Sequence, residues 1–221
     1  MRCLAVFLLI TVALRAQVPP EVVSAMATFR SDGPKGWSFT QTTEGAGESM
    51  VERYDAAKPD FERWVLLQKD GHPPTADELK DYNEMQSRRS SGTGPSLMNQ
   101  IDAGHGHLVS DRADYAIYRC PLNPGEDGDH VAEVLQATIA YHKPTKTIDS
   151  VELVSTAAFS PSLAVSIAEM KTTLTYSLPD ATHPSLITGV KTHVRGRAFW
   201  FKSLDADMTV VYSDYVKATR K

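Results

Sequence analysis

The amino-acid sequence predicts an α+β fold that is mainly antiparallel β: a strongly curved sheet, or an incompletely closed β-barrel, with helices on its concave side. Strand-like segments dominate the chain after residue 110, and no helical pattern separates them, which excludes parallel β-α-β units. Several of these segments alternate apolar and polar residues, so one face of the sheet is covered and the other is in water. Two amphipathic helical patterns precede them and supply the cover.

The first sixteen residues have the order of a secretory signal peptide. Arg2 precedes an apolar run from Cys3 to Leu14, and Ala16 stands at a suitable cleavage position. This run is shorter than the ~20 residues that a membrane-spanning helix needs, although a buried helix or an uncleaved anchor is an alternative. Cys3 precedes the run, so it is not a lipoprotein's acylated cysteine. We therefore expect an exported protein, periplasmic or otherwise extracellular, with no integral membrane span after cleavage.

The composition after cleavage excludes several classes of protein. Residues 17–221, which we expect to form a single β-rich domain, contain 21 basic and 27 acidic residues, because residues 1–16 hold Arg2, Arg15 and no acid. A chain with this acidic balance lacks the basic footprint of a nucleic-acid-binding protein. Cys120 is then the single cysteine, so no intramolecular disulfide is expected and stability must come from a hydrophobic core.

The first third of this domain combines helices and strands. Apolar residues recur at three- and four-residue spacing in 20–29, which predicts a helix. Alternation in 37–42 and 49–54, joined through glycines at 45 and 47, predicts a hairpin, and a short strand follows at 64–68. Thr75 and Glu78 fit a capping box that begins a helix ending near residue 89. A Ser- and Gly-rich loop at 90–96 completes a helical and flexible excursion over about 72–100.

Six further segments are predicted strands: residues 114–120, 131–142, 147–157, 164–177, 186–201 and 208–216. In the fourth, Met170, Leu174 and Tyr176 share one face and polar residues the other. In the second, Ala137, Ile139 and Tyr141 share an apolar face. The segments therefore form an antiparallel meander with one covered face.

Motifs for catalysis or metal binding are weak. Residues 102–107 bring Asp102, His105 and His107 together, which suits zinc or copper, but a solvated glycine-rich loop is the favoured interpretation. Residues 127–129 resemble the start of a calcium loop without its closing glutamate, and indicate a turn. Cys120 has no catalytic signature and reads as a buried hydrophobe. With no nucleophile elbow, zinc-protease motif or phosphate loop, we expect no enzyme activity, cofactor or metal.

A row of cations alternates along one predicted strand. Lys191, His193, Arg195 and Arg197 share one face, and Phe199 and Phe201 continue the pattern. Such a basic and aromatic row could receive an anionic headgroup or an acidic partner. The alternative is a solvated sheet face, which commonly carries Lys and Arg.

Three segments, YDAAKP at 54–59, ERWVLL at 62–67 and DGHPPTADEL at 70–79, resemble a region shared by bacterial envelope proteins. The order of elements is similar to that of the periplasmic lipoprotein-carrier and lipoprotein-sorting (LolA-like) superfamily, and FWF at 199–201 and VYSDY at 211–215 resemble its late strands. The resemblance implies a half-open barrel whose concave face, lidded by helices, holds acyl chains. The long insertion at 55–100 departs from the carriers, and no carrier functional residue aligns to a position here.

Two functional hypotheses follow. The first is a non-enzymatic envelope protein that binds a lipid, a lipoprotein acyl chain or another apolar ligand in the concave face. Its candidate ligand contacts are Trp37, Phe39, Trp64, Met170, Leu174 and Tyr176. The second is an envelope protein-protein interaction module without a small-molecule ligand, which uses the basic and aromatic strand. An unrecognised hydrolase or metal protein would require the 102–107 loop to meet other histidines in space.

Overall fold

A computed structural model describes residues 17–28, 36–88, 97–124, 131–199 and 201–218. The signal peptide predicted at 1–16, the loop at 90–96 and the turn at 127–129 lie outside these residues. The described residues confirm the α+β class: twelve strands form one curved antiparallel sheet that does not close into a barrel.

The strands of the described residues are β1 Trp37–Gly45, β2 Glu48–Tyr54, β3 Trp64–Lys69, β4 His107–Asp111, β5 Tyr115–Pro121, β6 Leu135–His142, β7 Thr147–Ser155, β8 Phe159–Ser162, β9 Val165–Tyr176, β10 Ile187–Ala198, β11 Lys202–Ser203 and β12 Ala206–Lys217. The helices are α1 Pro20–Thr28, α2 Ala76–Arg88 and α3 Leu97–Gln100. Their order across the sheet is β3-β2-β1-β12-β10-β9-β7-β6-β5-β4, with β8 on β9 and β11 on β10.

Tight turns reverse the chain at two points in the first third. Ala46 and Gly47 both have positive φ, 53° and 84°, and so do Asp70 and Gly71, 48° and 80°. Two successive residues in this region match the right-handed twist of the flanking strands, and glycine adopts it without a steric penalty. The first turn joins β1 to β2, and the second leads β3 back to His72 through a bridge with Lys69.

The helices begin where local chemistry allows. Pro20 opens α1, where its missing N–H costs nothing. Before α2, the backbone N–H of Thr75 donates to the Glu78 carboxylate at 2.8 Å, and the Glu78 N–H donates to Thr75 Oγ1 at 3.3 Å. The predicted capping box is therefore confirmed. None of the described helices has the length and apolar character needed to cross a membrane.

Several predicted boundaries were wrong. The segment 131–142 begins with a 3-10 turn, Ala132–Val134, before β6. The solvated loop at 102–107 contains a second 3-10 turn, Ala103–His105, and then enters β4. The strand predicted at 186–201 ends at Ala198, because Phe199 has φ of 49° and turns the chain. The short strands β4, β8 and β11 were not predicted at all.

The main core lies under α1, on the concave face of β4 to β9. Strand register places Ile139 opposite Val151 and Ala137 opposite Leu153, and all four side chains are buried. Val22 and Met26 of α1 pack into the same cluster. The apolar face predicted for Ala137, Ile139 and Tyr141 of β6 is thus confirmed, since alternation along a strand puts every second side chain on the covered side.

Candidate functional site

The concave face is covered at its two sides by different elements. On one side, α1 lies over the core around Cys120 and Ile139. On the other side, α2 docks against β2 and β3 through the buried Tyr82. Between them run the concave sides of β12, β10 and β9, where the cover is incomplete.

A buried polar cluster attaches α2 to the sheet. Glu52 is fully buried, and one carboxylate oxygen accepts a hydrogen bond from the Tyr82 hydroxyl at 2.9 Å. Its other oxygen accepts from the Gln41 amide at 3.0 Å. Burial, followed by the Glu52 charge, raises the pKa of the Tyr212 hydroxyl. Sequence reasoning missed this cluster, because a buried glutamate in an alternating strand has the same pattern as an exposed one.

An aromatic cluster adjoins this polar group. The Phe39 ring stacks on Tyr54 at 4.9 Å between centroids and meets the Trp64 ring edge-on at 5.7 Å. Tyr212 and Tyr215 close the other side of Phe39, at 5.6 and 5.7 Å. The Tyr215 hydroxyl donates to the Ile187 carbonyl at 2.6 Å, so the ring is held against β10. Phe39 therefore packs within the protein and does not face an opening.

Part of the concave face remains open. Five apolar side chains on β2, β9, β10 and β12 are only partly covered, and together we call them the open patch: Met50, Met170, Val190, Val194 and Met208. Register joins them, since Met170 faces Val194 across β9 and β10. Between them, the hydroxyls of Thr172 and Thr192 lie 3.2 Å apart and satisfy each other. The patch is therefore apolar with its polar atoms paired.

A groove extends the open patch to the rim of the sheet. It has a volume of about 220 Å³ and lies where the β1–β2 turn meets the start of β12. Met50 and Met208 line it, and the other lining residues are Thr43, Gly45, Ala46, Glu48, Ala206 and Asp207. Methionine is flexible and polarisable, and it is used at surfaces that adapt to apolar ligands of varied shape.

The six predicted ligand contacts occupy four environments. Met170 belongs to the open patch, whereas Leu174 and Tyr176 are buried in the main core. Phe39 and Trp64 belong to the aromatic cluster. Trp37 is buried, and its ring lies 5.4 Å from the imidazole of His183 in the β9–β10 connection. Only one of the six therefore lies in the open patch, and the sequence offered no signal for Met50 or Met208.

The cations of β10 lie on the opposite, convex face. Lys191, Arg195 and Arg197 are exposed, and His193 lies 2.6 Å from the Asp207 carboxylate. Register sets Arg195 opposite Glu169. The row is therefore interleaved with acids. Because the strand ends before Phe199, the aromatics do not continue this face as predicted.

The remaining candidate motifs, Cys120 and the 102–107 loop, are explained by their immediate surroundings. Burial raises the pKa of the Cys120 thiol to about 11, so the protonated form prevails at neutral pH and the thiol is unreactive there. Asp102 caps the short 3-10 turn by accepting from the His105 backbone N–H at 3.2 Å, and its other oxygen lies 2.6 Å from the His105 ring. Within the described residues, no three His, Cys, Asp or Glu side chains gather as a metal site.

Comparison with known proteins adds no family. No protein-family model matches the chain, and no curated protein is significantly similar to it. Among solved structures, the chain is similar to one titled GphF Dehydratase 1, with 14% identity over 90% of this chain and 82% of that chain. The TM-score is 0.19, which is too low to support an argument about fold or activity.

Proposed function

We propose that the protein binds a lipid, an acyl chain or another apolar ligand along the open patch, without catalysis. The observation that carries this proposal is the partly exposed apolar surface between α1 and α2, continuous with the groove at Met50 and Met208. Exposed contiguous apolar surface in a concavity is typical of ligand-binding sites. The groove is smaller than the ~300–1,000 Å³ of pockets that enclose a compact ligand. This favours an extended chain that lies along the open patch.

The predicted export signal supports this assignment through location. A soluble protein of the cell envelope works beside membranes, where acyl chains are abundant. We therefore propose a periplasmic or otherwise extracellular site of action, with the concave face as the binding surface.

The first test is chemical. The protein is purified from its native host and extracted with organic solvent, and the extract is analysed by mass spectrometry. We expect a reproducible lipid or acyl species. Absence of any such species, together with no uptake of a fluorescent fatty-acid probe, contradicts the proposal.

A matched pair of variants locates the site. Met208→Asp places a carboxylate in the open patch, and aspartate is too short to carry its charge out to water as lysine does. Val211→Asp makes the same kind of change on β12, but Val211 faces the convex side and is similarly exposed, 48% against 40%. We expect the first variant to weaken fatty-acid probe binding at least about tenfold, or ~1.4 kcal/mol, and the second to leave it unchanged. Equal affinities of the two variants would place the ligand elsewhere.

The interaction-module hypothesis stays a second proposal, motivated by the exposed Arg195 and Arg197 on the convex face. Reversing both to glutamate should abolish capture of an acidic partner without affecting folding. Unchanged pull-downs from the host envelope, with unchanged thermal unfolding, would count against it.

A further inference from the structure

Two turns at one end of the sheet present large apolar side chains to water. Leu163 lies in the turn between β8 and β9 and is fully exposed, and Phe199 and Phe201, between β10 and β11, are 61% and 86% exposed. The backbone N–H of Phe199 donates to the Ala164 carbonyl at 2.7 Å, which ties the two turns together. These residues therefore form one surface, which we call the tip: Leu163, Phe199 and Phe201.

The tip differs from scattered surface hydrophobes. Single exposed apolar residues are normal, but here three large exposed side chains lie on two turns that are hydrogen-bonded to each other. Phe199 is also held at φ of 49°, a conformation that bulky residues rarely adopt. The turn holds Phe199 in a strained backbone conformation and leaves both aromatic rings in water. Strain of this kind is typical of functional segments, which indicates that the exposed rings contribute to function.

Cations flank the tip on both sides of the sheet. Arg197 faces Ser166 and Ser203 in register, and Lys202 faces Ala198, so the two basic side chains point to opposite faces. Arg197 also lines a groove of about 240 Å³ with Ser160, Ser166 and Leu163. Two acids lie nearby: Asp205 accepts from the Gly196 backbone N–H at 3.3 Å, and Glu169 faces Arg195 on the same side of the sheet as Arg197. The groove thus offers a guanidinium and two hydroxyls beside an exposed leucine.

This combination matches the chemistry of an anionic phospholipid surface. Aromatic side chains concentrate at the membrane–water interface, and basic side chains next to them attract acidic headgroups. Arginine binds phosphate oxygens through two parallel N–H donors. The register also puts the tip just beyond the end of the open patch, because Val194 pairs with Ala206 and the tip follows at Ala198.

We propose that the tip docks onto a bilayer containing anionic phospholipid, with Leu163, Phe199 and Phe201 entering the interface and Arg197 binding a headgroup phosphate. This docking does not depend on ligand binding in the open patch. It fits a protein that approaches membranes from the aqueous side without spanning them.

The test uses a site-specific probe in the full chain. An environment-sensitive fluorophore is attached through Leu163→Cys, with Phe61→Cys as the control, since Phe61 is 84% exposed in the turn before β3. Cys120 is buried and inaccessible to the reagent, and Cys3 is changed to serine in both proteins so that the introduced thiol alone is labelled. Vesicles contain phosphatidylcholine with phosphatidylglycerol, or phosphatidylcholine alone. We expect a blue shift at 163 with the anionic vesicles and none at 61.

Further variants separate the two parts of the surface. Arg197→Glu in the Leu163→Cys protein should weaken the fluorescence titration at least about fivefold, as expected for losing one cation at an anionic surface. Phe201→Ser in the same background should weaken it about tenfold or more, because one buried aromatic ring is lost from the interface. Arg119→Glu, on the distant strand β5, is the charge control and should have little effect.

Three results would overturn the proposal. They are no spectral shift at 163 with anionic vesicles, an equal shift with phosphatidylcholine alone, and an equal shift at 61. Tip variants should leave fatty-acid probe uptake unchanged, and Met208→Asp should leave vesicle docking unchanged. A failure of the membrane-docking proposal is therefore distinguishable from a failure of the ligand-binding proposal.

Discussion

At the scale of single residues, Gly106 packs where no side chain fits. A Cβ atom at this position would lie 2.5 Å from both the Cys120 sulfur and Val18 Cγ2. Its backbone is extended, with φ of −71°, so the restriction is steric and not conformational. The glycine lets the chain entering β4 approach the strand that carries Cys120.

Gly106→Ala should therefore lower the free energy of unfolding by about 1–3 kcal/mol, the usual cost of overpacking a core. Urea unfolding followed by circular dichroism measures the loss. Gly104→Ala is the matched control, since its Cβ would meet only a side-chain oxygen, at 3.3 Å. Cys120→Ala should recover part of the loss when combined with Gly106→Ala. Additive effects in the double variant would show that the sulfur is not the obstacle.

Cys120 also makes stability depend on pH. Burial, followed by the Asp102 charge, raises the pKa of its thiol to about 11, whereas an unfolded thiol ionises near ~8.5. Between these values the unfolded chain has lost a proton that the folded chain keeps. Stability is therefore fully present below about pH 8.5 and declines as the pH rises toward 11, by up to ~1.4 kcal/mol per pH unit.

Urea unfolding of wild type and Cys120→Ala between neutral pH and about pH 10 checks this dependence. Wild type should be more stable at neutral pH, because the variant leaves a cavity, and the difference should shrink as the pH rises. Burial raises the pKa of Tyr118 and Tyr141 as well, and unfolded tyrosines ionise near ~10, but this contribution is common to both proteins and cancels in their difference. A difference that stays constant with pH would contradict the assignment.

At the scale of elements, α2 is attached to the sheet through hydrogen bonds of Tyr82 and Gln86 to Glu52 more than through its apolar side chains. Leu79, Tyr82 and Met85 lie on one edge of α2 at three-residue spacing, but Leu79 and Met85 are 37% and 40% exposed whereas Tyr82 is 4% exposed. The Tyr82 hydroxyl donates to the buried Glu52 carboxylate. The helix is therefore anchored by an aromatic ring that ends in a charge-assisted hydrogen bond.

Tyr82→Phe should destabilise the protein by about 1–3 kcal/mol, since it keeps the ring but removes a donor from a buried carboxylate. Hydrogen exchange should show faster opening of α2. Met85→Ala, one turn away on the same edge, should cost less because that side chain is half in water. Equal losses from the two substitutions would mean that packing, and not the hydrogen bond, holds the helix.

A comparison of the predicted with the observed elements shows which features are determined by neighbouring residues in the sequence. The capping box at Thr75 and Glu78 and the turn at Gly47 depend on neighbouring residues, so the sequence predicts them correctly. The strands β8 and β11 were missed because four and two residues are too short for a period of two to emerge. The end of β10 was missed because phenylalanine favours strands and rarely adopts positive φ, as Phe199 does here.

At the scale of the whole molecule, the fold class was predictable and the site was not. Alternating faces and the lack of helices between strands are enough to indicate a covered antiparallel sheet. The open patch, in contrast, depends on where α1 and α2 leave the concave face uncovered, which no single segment encodes. Met50 and Met208 meet through β1 only because the strand order places β12 beside it.

The pairing of β1 with β12 sets the order in which the molecule can be completed. The β1–β2–β3 sheet edge joins the rest through hydrogen bonds between residues 37–45 and 208–217, nearly the full length of the chain apart. The strands β1 to β3 cannot join the rest of the sheet until β12 is available to pair with β1. Contacts so distant in sequence slow folding. Until then, the unpaired edge of β1 can form hydrogen bonds with a wrong strand. A chain shortened before residue 206 would therefore be trapped with its N-terminal hairpins unattached, and we expect it to be a client of chaperones and proteases.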